Sequence, residues 1–325
     1  MANKIYLKFT TLTSPVPDFI FENLKSYSAS ANSYRSQPQE LIDRLSTRHN
    51  IDKEMIRLTA GADEAIYMFG MSYGESVYAF TPTYIEYREI MNIGANVNLV
   101  DALNESEYKI QTQSIPNATL IFVANPNNPF GFTSKENIIE IIENNSHAII
   151  VVDEVYAEFA DLSVIELTRK YKNLAVIRSF SKSFGMAGNR IGVVIANPEI
   201  IKKIKSKTQW ASLSYLSAGA AITAIDHEDY FIKLIHDVSE RRESFQNFLK
   251  ANKYFILPTK INAALIKFNN EDEGNKFFNY LTQNDFIVSH GNGESNVGLD
   301  KSFVRISIGS KGEMELLQEV ISNFK

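Results

Sequence analysis

The sequence predicts an α/β protein, with a seven-stranded, mostly parallel sheet covered by helices and a smaller α+β unit beyond it. Three observations carry that expectation. Short β-rich runs alternate with helical patterns through the middle of the chain, the order of a parallel sheet with crossover helices. Several of those runs, LIFVA, AIIVVD and IGVVIA, are apolar throughout, as in strands buried on both faces. At 325 residues the chain also exceeds one ordinary core.

The seven strands are expected at 55–61, 77–81, 95–100, 119–124, 148–153, 174–181 and 190–196. Eight residues separate the last two. A right-handed parallel crossover with its helix needs roughly a dozen or more. The last strand is therefore expected to run antiparallel to its neighbour, which puts Arg190 at the edge where the parallel strands end. Past residue 196 the pattern turns helical, with a long helix over 229–251. Strands near 263–268, 286–289 and 303–308 then alternate with helices at 271–284 and 311–324. The division this suggests is a large domain over 36–226 and a small domain formed by 1–35 with 227–325.

Composition narrows the function. Hydrophobic residues make up 44% and charged residues 22%, and the formal net charge is -5. That balance argues against a nucleic-acid-binding surface. Lys202, Lys203, Lys205 and Lys207 recur at helical spacing beside Ile200, Ile201 and Ile204, which reads as a solvated helix face. The absence of cysteine excludes disulfides, thiolate nucleophiles and cysteine-based metal sites. No metal is expected. The first residues lack the apolar core of a signal peptide, and no apolar run has the length to span a bilayer. A cytoplasmic protein without membrane partners is the expectation.

In open α/β sheets, ligands bind beyond the carboxyl ends of the strands. The first strand ends in Gly61-Ala62-Asp63-Glu64, opening a helix whose free N–H groups suit an anion or simply form an N-cap. The second ends in Thr81-Pro82-Thr83-Tyr84, where an aromatic ring can cover a flat ligand or fill the core. The fourth leads into Asn125-Pro126-Asn127-Asn128-Pro129-Phe130-Gly131, a rigid turn with an available amide at Asn128. The fifth ends in Asp153-Glu154-Val155-Tyr156, and an acid closing a buried run needs a partner such as a protonated ring nitrogen. The sixth ends in Ser179-Phe180-Ser181-Lys182, a candidate nucleophilic amine, with Arg190 eight residues on. Each feature alone is weak; their arrival in order at one sheet edge is specific.

The segments GADEAI, PTYIEY, NPNNPFG, VVDEVYAEF, SFSKSFGMAGNRIG and VRISIG together resemble fold-type I pyridoxal-phosphate enzymes, and within them the histidinol-phosphate aminotransferase branch. The resemblance implies pyridoxal 5'-phosphate, carried by Lys182 as a Schiff base, with Asp153 paired to the pyridine nitrogen. It places Tyr156 and Asn128 on the ring oxygen and Tyr84 on the ring face. Ala62, Asp63, Ser179, Ser181 and Arg190 would hold the phosphate, and Lys182, Asp153 and Tyr156 would be the catalytic set. Arg305 would bind the acidic end of the substrate. Tyr34, in ANSYRSQP, would reach the cofactor and substrate of a neighbouring subunit, which implies a homodimer. The implied reaction moves an amino group between an amino acid such as glutamate and a keto or phosphorylated keto substrate. Decarboxylation of a phosphorylated amino acid is the alternative.

Three segments depart from the family pattern. LKFTTLTSPVPDF stands where an Asn-Glu-Asn-Pro-like segment is expected, and Phe130 replaces the usual Thr of the Asn-Pro turn. Upstream of Arg305, VSHGNGES lacks the second arginine of the histidinol-phosphate enzymes and offers His290 instead. A nicotinamide dehydrogenase fits the α/β pattern but not the motifs, since no strand leads into G-x-G-x-x-G; Gly291 and Gly293 lie in the smaller unit. A non-catalytic protein with this fold is disfavoured by the intact lysine, aspartate and arginine.

Overall fold

The computed structural model describes residues 4–35, 37–291 and 296–324. Its main sheet comprises β1 (Ile56–Thr59), β2 (Val77–Thr81), β3 (Val97–Asp101), β4 (Leu120–Ala124), β5 (Ile149–Asp153), β6 (Leu174–Ser179) and β7 (Gly192–Ala196). The strand order is β1-β7-β6-β5-β4-β2-β3. β7 runs antiparallel to both neighbours, and the other adjacent pairs are parallel. The shortness of the β6–β7 connection explains this: it holds one 3-10 turn, Ala187–Asn189, and no crossover helix.

β4 and β7 are buried along their whole length, as their apolar runs require. Alternate residues feed two cores. Val151, Ala175, Ile177 and Val194 face one cluster, which includes α3 (Ala62–Tyr73) and α5 (Pro198–Lys205) and extends into the smaller unit. Ile150, Val176, Val193 and Ile195 face the other, with α1 (Asp18–Ser28), α2 (Gln39–His49), α4 (Lys135–Asn144) and α6 (Tyr215–Asp226). This is the period of two expected of strands, read on a sheet covered on both sides.

Several strands are shorter than their sequence runs. β1 ends at Thr59 because Gly61 turns the chain at φ +90°, and β7 begins at Gly192 because Arg190 is left-handed at φ 53°. β3, an edge strand, is shifted to Val97–Asp101.

Beyond the 24-residue α7 (Glu228–Ala251) lies an antiparallel sheet of β8 (Phe255–Leu257), β9 (Ala263–Lys267), β10 (Ser289–His290) and β11 (Phe303–Ser307), in the order β8-β9-β11-β10. The helices α8 (Glu271–Gln283) and α9 (Lys311–Ser322) complete this unit. The single strand expected over 286–289 is in fact two. Phe286–Ile287 pairs in parallel with Ile5–Tyr6, and only Ser289–His290 joins β11. The cause is a partner from the far end of the chain, which no local pattern reveals. The N-terminal segment thus serves both units: Leu7 O accepts from Ser307 N at 3.0 Å, while α1 packs against α6.

Candidate active site

The C-terminal ends of the parallel strands and the start of β7 meet at a cavity of about 240 Å³. Ala62, Asp63, Tyr84, Asn128, Asp153, Tyr156, Ser179, Ser181, Lys182, Arg190 and Arg305 line it, while Tyr34 and His290 do not. One end is built for an anion. The first turn of α3 takes no side-chain cap, so its N-terminal amides face the cavity end without a side-chain partner. Arg190 reaches across it, donating from Nη2 to Asp63 Oδ2 at 2.7 Å. A Cβ on Gly61 would lie 2.4 Å from that nitrogen and push the guanidinium aside, and the backbone φ of +90° there favours glycine. Gly192 is equally constrained, since a Cβ there would meet Thr59 Oγ1 and the Gly61 carbonyl at 2.5 Å. Ser179 and Ser181 are buried beside it; Ser179 Oγ donates to Ile191 O at 3.2 Å and accepts from Ser181 N at 3.1 Å. The Asp63 carboxylate turns toward Arg190 and also accepts from Tyr84 Oη at 3.1 Å.

The floor is acidic. Asp153 ends β5 with 6% exposure, and burial pushes its carboxyl up to about 6. Tyr87 Oη donates to its Oδ2 at 2.6 Å and Val155 N to its Oδ1 at 3.1 Å, and both bonds oppose the rise. Tyr87 was not singled out from the sequence. It lies three residues after Tyr84 in PTYIEY, and that spacing was the available signal. The two rings meet edge to face at 6.2 Å.

Lys182 leaves the end of β6, and its Nζ donates to Thr10 Oγ1 at 2.9 Å. The same Thr10 oxygen lies 2.6 Å from Tyr156 Oη. Thr10 and its neighbour Phe9 also line the cavity, and nothing in their own sequence signalled it.

The opposite wall belongs to the smaller unit. Arg305, on β11, is 3% exposed; its Nη1 donates to Asn128 Oδ1 at 2.6 Å and Asn296 Oδ1 at 2.7 Å. Its Nη2 donates to Lys8 O at 2.7 Å. Burial lowers the affinity of this guanidinium for its proton, but an arginine starts so high that it stays charged. The Asn128 amide therefore faces the cavity with its oxygen committed to Arg305. Phe130 is fully buried with Leu257, Leu265, Leu299 and Phe303, and so serves packing between the units.

Two residues lie elsewhere. Tyr34 is 85% exposed, its ring 5.8 Å from Trp210. His290 stacks on Phe278 at 4.5 Å, with Nε2 2.8 Å from Lys301 O, and does not line the cavity. Residues 292–295, within VSHGNGES, and the Gly293 of the close glycine pair lie outside the described residues.

A family model described as aminotransferase class I and II matches residues 8–324. The chain is 29% identical over 330 residues to a histidinol-phosphate aminotransferase of Thermotoga sp. (strain RQ2), covering 99% of this chain and 94% of that one. Its fold is shared with the histidinol-phosphate aminotransferase of Clostridium acetobutylicum, at a TM-score of 0.89 and 23% identity over 97% of each chain. It is also shared with that of Sinorhizobium meliloti, solved in complex with pyridoxal-5'-phosphate, at a TM-score of 0.87 and 20% identity, over 98% of this chain and 91% of that one. The fold, the strand-end residues and the span of the family match agree: this chain belongs to the class I and II aminotransferases.

Proposed function

We propose that this aminotransferase binds pyridoxal 5'-phosphate in the cavity and moves an amino group from an amino acid such as glutamate to a keto or phosphorylated keto substrate. The observation that carries the reading is the placement of an amine, a buried carboxyl and an anion cradle around one cavity. Asp153 fits the cofactor because a buried carboxyl whose proton affinity is raised gains most from a cationic partner such as a protonated ring nitrogen. The uncapped start of α3, the Arg190 guanidinium and two buried serines fit a phosphate. When bound, the cofactor supplies the electron sink for chemistry at the substrate's Cα.

The chain's own residues do the rest. Asp153 holds the ring nitrogen's proton, Tyr84 covers the ring face, and Tyr156 and Asn128 reach the ring oxygen. Lys182 carries the cofactor and then moves the proton taken from Cα. The Arg305 fork grips the substrate carboxylate. A borohydride-reduced holoenzyme digested and mapped by mass spectrometry tests the assignment: the label should fall on Lys182.

Substrate choice follows from the cations available. Among the described residues lining the cavity these are Lys182, Arg190 and Arg305, and the cofactor engages the first two. Arg305 must then serve carboxylate and phosphate substrates alike. Arg305→Lys keeps the charge but loses the bidentate fork, and should cut kcat/KM for glutamate about 100-fold, roughly 3 kcal/mol. In the wild-type enzyme, histidinol phosphate, held through its phosphate by this one arginine, should be a poorer substrate than in a dedicated biosynthetic enzyme that has a second arginine. A kcat/KM for histidinol phosphate matching such enzymes would assign the histidine pathway instead.

The reading includes a homodimer with shared sites, supported by the exposed pair Tyr34 and Trp210 beside α6. Mixing inactive Lys182→Ala with an inactive Tyr34→Ala protein should restore part of the activity. Continued inactivity despite proven subunit exchange would count against it. A cytoplasmic location belongs to the same proposal, checked by cell fractionation.

A further inference from the structure

The cavity holds a hydroxyl in a segment that departs from the family pattern. Thr10 lies in LKFTTLT, is 3% exposed, and has its Oγ1 within hydrogen-bond distance of both Lys182 Nζ and Tyr156 Oη. Its backbone is fixed from the smaller unit. Thr10 O accepts from Asn262 Nδ2 at 3.1 Å, and two residues earlier Lys8 O accepts from Arg305 Nη2. The segment therefore spans the cavity, anchored on one side and touching the amine and phenol on the other. A hydroxyl has two lone pairs and one proton. Oγ1 accepts from Lys182 and hydrogen-bonds Tyr156 Oη, where either oxygen can be the donor, so one side chain fixes both groups.

We propose that Thr10 is a positioning residue for Lys182, its hydroxyl holding the amine nitrogen beside Tyr156 at the attachment point of the cofactor. The inference rests on Lys182 being that point. When the cofactor attaches, the amine nitrogen bonds to its aldehyde carbon. The two amine protons leave with the carbonyl oxygen as water, and no electrons are gained or lost. The rate of that condensation depends on where the nitrogen is held. Loss of Oγ1 frees a four-carbon side chain with many rotamers to sample the cavity, and any water that replaced the hydroxyl would not be fixed to the backbone.

The test compares Thr10→Val, which keeps the shape, with Thr10→Ser, which keeps the hydroxyl; Thr10→Ala serves if the valine variant does not fold. Pyridoxal phosphate is added to cofactor-free protein, and borohydride-fixable label at Lys182 is followed with time. Binding of pyridoxamine phosphate, which has no aldehyde to condense, is measured in parallel. Thr10→Val should acquire label about tenfold more slowly than wild type, with pyridoxamine phosphate affinity unchanged and Thr10→Ser close to wild type. Equal labelling rates in wild type and Thr10→Val overturn the inference. So does slow labelling shared by Thr10→Ser, or matched by lost pyridoxamine phosphate affinity. Absence of label at Lys182 in the wild-type protein would instead remove the underlying assignment.

Discussion

Lys182→Ala is expected to lower turnover by about five orders of magnitude, roughly 7 kcal/mol of transition-state stabilisation. Lys182 is the only primary amine among the described residues that line the cavity, and it emerges from the end of β6 beside Tyr156. Two roles are lost together. On the proposed assignment alanine would not attach the cofactor, and it would remove the amine that moves the proton from Cα. The cradle formed by α3, Arg190 and the buried serines is untouched, so phosphate-bearing cofactor should still bind. The variant should therefore hold cofactor by noncovalent contacts, give no borohydride-stable label, and show almost no amino-group transfer. Turnover within tenfold of wild type would place the chemistry on another group.

Asp153→Asn should cost about 4 kcal/mol or more in transition-state stabilisation, because a neutral amide does not hold the ring nitrogen's proton. It should also change how the cofactor-free fold responds to pH. Burial pushes the Asp153 carboxyl from an ordinary 3.8 up to about 6, against the opposing bonds from Tyr87 and Val155. The folded state thus binds this proton more tightly than the unfolded chain does. Stability from this group is fully present below 3.8 and is lost as pH rises through about 6. In urea titrations of cofactor-free protein at acid and at mildly alkaline pH, wild type should lose roughly 3 kcal/mol more than Asp153→Asn. Parallel pH profiles would show that Asp153 is not strained, and normal turnover in the variant would remove it from the reaction. Glu154, which follows directly, cannot substitute: it is turned away into bonds with Arg178, Ser163 and the Val164 amide.

The legible part of the fold was what short-range pattern controls. Uniformly apolar runs gave buried strands, and the brief gap before β7 gave its direction. Most of the site was legible too, because Ala62, Tyr84, Asn128, Asp153 and Lys182 each follow a strand that the sequence marks. Thr10 and the division of 286–290 between two partners were not. Thr10 meets Tyr156 across 146 residues and Lys182 across 172, and such contacts leave no periodicity behind. Tyr87 was hidden differently: its ring looks like core, and only the hydrogen bond to Asp153 distinguishes it from packing.

The bond from Arg305 to the Lys8 carbonyl joins residues 297 apart. Lys8 is made before Arg305, so the wall they form stays open until the chain between them has been made. Lys182, Asp153 and Arg190 all precede β11 in the chain. Contacts of such separation are slow to form, since the intervening chain must be ordered first. A chain ending before Phe303 would carry Lys182 but lack Arg305 and the wall it forms with Lys8. The sheet-borne residues of the cavity are therefore all made before the wall that faces them is complete.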